Sequence, residues 1–170
     1  MDRQELARRI YECSHLSGRF QLRSGAWSDE YFDKYQFESN PDLLEGIAEH
    51  MAGLLPSKVE LLAGLEMGGI PLATAVSAKT RLPTLFVRKA AKSYGTARIA
   101  EGPHFRGKRV CLIEDVITTG GAVMDAAAAL RNGGAEVQGV VCVIYRGKET
   151  SGRLGDIPMK CLFTMDELKR

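Results

Sequence analysis

At 170 residues, with 45% hydrophobic and 26% charged side chains and a formal net charge of +2, the chain has the make-up of one folded domain, not of a disordered tail or scaffold. Its apolar runs are short and interrupted by charge or glycine, and it opens with Asp2, Arg3, Glu5, Arg8 and Arg9, so neither a membrane span nor a secretory leader is expected. Cys13, Cys111, Cys142 and Cys161 form no C-x-x-C pair and His15, His50 and His104 have no ligand spacing, which argues against a metal centre and for a reducing, cytoplasmic compartment.

The first predicted element is a helix over residues 2 to 15, with Leu6, Ile10 and Cys13 at helical spacing and Gly18 as its stop signal. From Arg19 to Phe37 apolar and polar residues alternate around Ser24 and Gly25, the pattern of two short extended segments at an edge of the fold. Asn40 then caps a helix that has Pro41 in its first turn and Leu43, Leu44, Ile47, Met51, Leu54 and Leu55 on its apolar side. A strand over Val59 to Leu65, a turn at Met67 to Gly69, a helix through Leu72 and Val76, and a strand at Thr84 to Val87 follow in order.

Residues 89 to 107, rich in Lys, Ser, Gly and Thr, are expected to form a mobile loop. Between residues 81 and 109 eight basic side chains (Arg81, Arg88, Lys89, Lys92, Arg98, Arg106, Lys108 and Arg109) face a single acid, Glu101, so an anion is expected to visit this segment. Without aromatic interleaving or a groove-reading helix, a small polyphosphate suits it better than nucleic acid. A strand from Arg109 to Ile113, a turn at Thr118 to Gly121, a helix from Ala122 to Arg131 and a strand from Val137 to Tyr145 complete the pattern. Strands and helices in alternation, with near-continuous apolar strands, predict an α/β fold whose parallel sheet is covered on both faces.

The sharpest motif runs from Val110 to Ala122, an apolar strand ending in Glu114 and Asp115, then a hydroxyl and glycine turn, then a helix. Backbone N–H groups of a glycine turn at a helix N-terminus point toward an anion, and the helix dipole favours negative charge there. Thr118 and Thr119 add hydroxyl donors, enough for one phosphate. Consecutive strand residues point to opposite sides, so the two acids cannot form a paired general acid and base, but they can accept from the hydroxyls of a ribose between them. A plain capped turn would use the same residue types, and the spacing is neither that of a dinucleotide fingerprint nor that of a P-loop.

This segment resembles the phosphoribosyl pyrophosphate signature of the type I phosphoribosyltransferases. Phe20 to Gly25 with Tyr31 to Asp33 is similar to the N-terminal hood of orotate phosphoribosyltransferases, and Val87 to Gly95 with Glu101 and Gly102 to their catalytic loop. The resemblance implies a single domain over residues 1–170: a mainly parallel, twisted sheet with helices on both faces, a small hood from about residues 1–40 with the C-terminal end, and a catalytic loop at about 89–107. It implies transfer of the phosphoribosyl group to orotate for pyrimidine biosynthesis, with Mg2+ and without direct protein ligation of the metal. A phosphoribosyltransferase for another purine or pyrimidine, or a non-catalytic sensor of phosphoribosyl pyrophosphate, is the alternative. A homodimer whose loop reaches the partner's site is also implied, with no nucleic-acid or membrane partner.

By the same resemblance Glu114 and Asp115 take the ribose, and Val116, Thr118, Thr119, Gly120, Gly121 and Ala122 form the phosphate turn. Arg88, Lys89, Lys92 and Tyr94 meet the pyrophosphate, with Arg88, Lys89, Lys92 and Asp115 as the catalytic set. Arg23, Tyr31, Phe32, Thr118 and Arg146 surround orotate, although Arg23 and Arg146 also suit a plain surface and Tyr31 and Phe32 suit core or pocket alike. Two departures stand in the motifs: Tyr94 lies where many members carry histidine, and Glu66 to Gly69 lacks the lysine some members have there.

Overall fold

In a computed structural model, residues 1–22, 24–90, 98–147 and 152–170 are described. Helix α1 (Arg3–Ser14) starts where the Asp2 side chain accepts the Glu5 N–H and buries Leu6 and Ile10. It passes directly into β1 (His15–Gln21), which pairs antiparallel with β2 (Trp27–Phe32) in a separate two-stranded sheet. Gly18 does not stop the helix, as the sequence reading had it. It lies inside β1, where the register with β2 shifts between Ser17 and Phe20, and a bulge there bends the ribbon. The short helix α2 (Tyr35–Glu38) leads to α3 (Pro41–Ala52), whose Asn40 cap accepts from the Asp42 and Leu43 N–H groups.

The main sheet has seven strands in the order β5-β4-β3-β6-β7-β9-β8. Strands β3 (Leu61–Leu65), β4 (Thr84–Val87), β6 (Arg109–Ile117), β7 (Glu136–Tyr145) and β9 (Ile157–Thr164) run parallel. The two-residue strands β5 (Ala100–Glu101) and β8 (Arg153–Leu154) close its edges antiparallel. Ala100 is buried against the sheet, so the expected loop at 89–107 gives up this edge strand; residues 91–97 of it lie outside the described residues. The chain past Tyr145 supplies β8, β9 and the capped turn α6 (Met165–Leu168), none of which the periodicity had suggested.

Pleating sorts the strand residues between two cores. Leu61, Ala63 and Leu65 of β3 and Val110 and Leu112 of β6 join the core beneath α5 (Gly121–Asn132), with Val123, Ala126 and Leu130. Leu62 of β3 and Cys111 and Ile113 of β6 face the other way, onto α1, α3 and α4 (Gly69–Thr80), with Ile10, Ile47, Leu72 and Val76. Because β4 lies on one side of β3 and β6 on the other, the direction of winding reverses between β3 and β6. Ligands of such sheets bind outside the carboxyl ends of the strands at this point.

Close backbone approach shapes that point. A β-carbon on Gly64 would stand 2.6 Å from the Gly69 carbonyl oxygen and 2.8 Å from Ala73 Cβ, both fixed in α4. Gly64→Ala should therefore cost about 1–3 kcal/mol as an overpacked substitution. The expected loss in Tm is about 2–4 °C per kcal/mol for a chain of this length, read by thermal denaturation. An unchanged Tm would show that β3 and α4 do not depend on this contact.

Candidate active site

Strand β6 carries the acid pair further than the sequence suggested, running through Glu114 and Asp115 to Ile117. Continuing the pleat, Glu114 falls on the α5 side and Asp115 on the α3 and α4 side. Glu114 lines a cleft of about 470 Å3 with Glu66, Val87, Arg88, Lys89, Gly121, Ala122 and Asp125. Ahead of α5 the turn exposes Thr118 and Thr119, and Gly120 takes the left-handed conformation at φ 81° as the N-cap of the helix. A β-carbon at Gly120 would also stand 2.8 Å from Leu154. Glycine is thus needed twice over, for backbone sign and for space.

Two of the expected loop cations reach the cleft. Arg88 lies 3.5 Å from Glu101, and the Lys89 N–H donates to Glu66 Oε2 at 3.0 Å. Lys92 and Tyr94 lie outside the described residues, as does Arg23 of the hood. Tyr31, Phe32 and Arg146 share a second cavity of about 170 Å3, on the hood side, with Tyr11, His15, Leu22, Ser28 and Glu30. Tyr31 is exposed and its ring lies 5.6 Å from that of Phe20, whereas Phe32 also packs on the core. Thr118 is not part of the cavity wall, but Arg146 is tied close to it, since its N–H donates to the Ile117 carbonyl at 2.8 Å.

Asp115, expected to take ribose beside Glu114, is instead buried, with only 1% of it accessible. Lys34 Nζ lies 2.5 Å from its Oδ2, and Val116 N–H donates to its Oδ1. Glu38, also buried, brings Oε1 to the same place, and a β-carbon on Gly68 would overlap both carboxyl groups. Apart from the Lys34 ion pair, neither Glu38 Oε1 nor Asp115 Oδ2 has a hydrogen-bond partner among the described residues, and a proton on Glu38 directed at Asp115 would satisfy both. Burial first, and then Asp115, pushes Glu38 up to about 8. Burial and the Asp115 charge push Glu114 to about 8 as well. For Asp115 burial acts upward, but the Lys34 ammonium and the bonds from Glu114 and Glu38 hold it below the ordinary aspartate range.

Lys34, Glu38 and Asp125 thus join the site without having been singled out in the sequence, and Glu66, noted there only as the start of a turn that lacks lysine, joins it as well. Asp125, four positions beyond Gly121 on the first turns of α5, was legible once the helix start was placed. Lys34 and Glu38 had no local signal, because their partner lies on a distant strand.

The shifts set a direction for stability against pH. Glu38 and Glu114 hold protons in the folded chain up to about pH 8, whereas the unfolded chain releases them near the ordinary glutamate value of 4.5. Stability should fall as pH rises through that window, because the folded state binds more protons there than the unfolded state. Asp115 works oppositely, and its contribution is lost only in acid, as pH falls through its lowered value. In a Tm series from about pH 5 to about pH 8.5, wild type should decline and Glu38→Gln should decline less. Identical slopes would show that Glu38 carries no such proton.

The phosphoribosyl transferase domain model matches residues 34–157. An orotate phosphoribosyltransferase of Nocardioides sp. is 55% identical over 155 residues, covering 91% of this chain and 87% of that protein. One of Methanocella arvoryzae is 44% identical, over 80% of this chain and 77% of that one. Among solved structures, Mycobacterium tuberculosis orotate phosphoribosyltransferase in complex with Fe(III) dicitrate superposes at a TM-score of 0.88 with 30% identity, covering both chains in full. The same enzyme in complex with 5-phospho-alpha-D-ribosyl 1-diphosphate gives 0.82 with 27% identity, again over both chains in full. Matched by the phosphoribosyl transferase domain over most of its length and 55% identical to an orotate phosphoribosyltransferase over 91% of it, the chain belongs to the orotate phosphoribosyltransferase family of type I phosphoribosyltransferases.

Proposed function

We propose that the protein transfers the phosphoribosyl group of phosphoribosyl pyrophosphate to orotate, releasing pyrophosphate and forming orotidine 5′-monophosphate for pyrimidine biosynthesis. The observation that carries this reading is the pair of recesses flanking the carboxyl end of β6. One joins Glu114 to Arg88, Lys89 and the start of α5; the other joins Arg146 to Tyr31 and Phe32. A sugar bearing phosphates at both ends suits the first recess, and a planar base with a carboxylate suits a cavity lined by an arginine and aromatic rings.

In this reading the turn from Thr118 to Ala122 takes the 5′-phosphate on its N–H groups and hydroxyls, with the positive end of the α5 dipole behind it. Glu114 accepts from or donates to the ribose hydroxyls, depending on its proton. Orotate N1 forms the new bond to C1′ as the bond from C1′ to the pyrophosphate oxygen breaks; the electron pair leaves with pyrophosphate, and the N1 proton passes to the departing pyrophosphate or to water. Positive charge grows on the sugar and negative charge on the leaving group. Arg88 and Lys89, with Lys92 from the loop, complement the second of these.

Magnesium is the cofactor that belongs with this chemistry. The described residues contain no cluster of three or more metal-ligating side chains, but Asp125 gives the cleft an exposed carboxylate. That set fits a hard cation that arrives on the substrate and completes its shell with phosphate oxygens and water. When bound, the ion neutralises the pyrophosphate and improves it as a leaving group. A cytoplasmic setting agrees with four free cysteines. No helix among the described residues is long and apolar enough to cross a membrane.

The reading extends to a two-fold dimer whose loop at residues 89–107 reaches the partner's cleft. Exposed Met67, at 58% accessibility, lies with Ile70 and Phe86 beside Arg88 and Glu101, an apolar patch at the rim of the site that a second copy would cover.

Loss of orotate absorbance in the presence of phosphoribosyl pyrophosphate and magnesium tests the activity directly, and an inert mixture would overturn the reading. Arg146→Ala should raise KM for orotate at least about tenfold more than KM for phosphoribosyl pyrophosphate, because a carboxylate loses its guanidinium partner. Equal effects on both would move orotate out of the hood cavity. For the dimer, Glu114→Ala and Lys92→Ala proteins, each inactive, are unfolded together and refolded. Random pairing makes about half the dimers mixed, each with one site free of both lesions, so activity should return to about a quarter of wild type. A loop that closes on its own subunit leaves the mixture inactive.

A further inference from the structure

Lys34 occupies the junction between β2 and α2, and its ammonium ends 2.5 Å from Asp115 Oδ2. About a third of the lysine side chain is exposed, against 1% for the aspartate. A surface ion pair contributes little, but a carboxylate shut away from water depends on its counter-ion, and removing one partner of such a pair is severe. Here the dependence is sharper because Glu38 and Glu114 crowd the same carboxylate. The buried pair Glu38 and Asp115, with Glu114 beside them, cannot all be ionised around one ammonium, and the acid nearest the cation is the one that keeps its charge.

Asp115 is also where the segments that build the site meet. Glu38 of α2 and the backbone of Gly68 in the turn after β3 close on it from the hood side. From β6 itself its N–H donates to Glu114 Oε1 at 2.9 Å, and Val116 N–H donates to its Oδ1. Among the described residues, the titratable groups that bear on the cluster are Lys34 and Glu38, with Tyr35 acting on Lys34 and Asp33 on Glu38; Glu114 of β6; and the buried Cys142 thiol of β7. The turn contributes backbone alone, since Gly68 leaves no room for a side chain.

We infer that Lys34 is a positioning residue of the phosphoribosyl pyrophosphate site, holding Asp115 as the charged and oriented member of a three-acid cluster so that the β6 strand end and the Glu66–Gly69 turn are set to receive ribose. The inference rests on the phosphoribosyl reading of the site. Lys34 acts through Asp115 and not by touching substrate, which gives it a signature different from that of a binding lysine. Without its charge, Asp115 shares the fate of its neighbours and takes up a proton in mild acid.

The test is a double-mutant cycle on phosphoribosyl pyrophosphate affinity, measured by calorimetry with magnesium in wild type, Lys34→Met, Lys34→Arg, Asp115→Asn and the Lys34→Met/Asp115→Asn double variant. Relative to wild type, Lys34→Met should weaken binding about tenfold or more at about pH 6 and recover most of it at about pH 8.5, where Asp115 ionises unaided. Lys34→Arg should keep most of the wild-type affinity at both values. On the Asp115→Asn background, Lys34→Met should change affinity no further. Additive losses in the cycle, or an equal loss at both pH values, or wild-type affinity in Lys34→Met, would overturn the inference while leaving the phosphoribosyl reading intact. Failure of wild type to bind would overturn both. If Lys34→Met does not fold, as read from its Tm, Lys34→Gln runs the same cycle with a neutral side chain that can still donate to Asp115.

Discussion

A β-strand turns consecutive side chains to opposite faces, and at the carboxyl end of β6 this alternation gives two neighbouring acids different surroundings. Glu114 opens into the cleft under α5, among cations and helix-terminal N–H groups. Asp115 passes behind the sheet into a space bounded by α2 and the turn after β3, where water is excluded. In the proposed reading, sugar hydroxyls in the cleft meet one acid directly, while the other stiffens the wall that carries it.

Burial of Asp115 then constrains its neighbourhood. An ionised carboxylate out of water needs a fixed positive charge and hydrogen bonds to its oxygens, and the Lys34 ammonium and the Val116 N–H meet those needs. Glu38 fills the remaining space with a proton of its own, and Gly68 is glycine because the two carboxyl groups take the volume a side chain would need. Three separate stretches of chain meet around a single charge, so the entry to α2, the turn after β3 and the end of β6 keep their relative positions before any substrate arrives. Preorganisation of this kind lowers the reorganisation that a transition state would otherwise require.

The two recesses divide the recognition task along chemical lines. The α5 side presents Arg88, Lys89 and a helix N-terminus, all suited to phosphate oxygens, whereas the hood side presents aromatic rings and the Arg146 guanidinium. Between them runs the end of β6, and the bond from Arg146 N–H to the Ile117 carbonyl fixes the hood cavity against that strand. A reaction that joins a base to a phosphorylated sugar needs the two recesses side by side, so that the base nitrogen can approach C1′, and both lie at the carboxyl end of β6.

By itself the sequence determined the α/β class, the α3 cap at Asn40, the strand at Thr84 to Val87 and the acid-and-glycine motif at the phosphate turn. Each of these depends on residues adjacent in the chain: hydrophobic period, a capping side chain, a glycine that must take positive φ. It also anticipated that Glu114 and Asp115 diverge, because pleating is a local rule. It did not disclose β8 and β9, since Ile157 to Thr164 is interrupted by Pro158 and Lys160 and is recognisable as a strand only beside β7. Nor could it reveal that Asp115 is buried against Lys34 and Glu38. Which acid stays charged is decided by desolvation and by a cation brought from another part of the chain, and only the packed tertiary structure brings those groups within a few ångströms of one another.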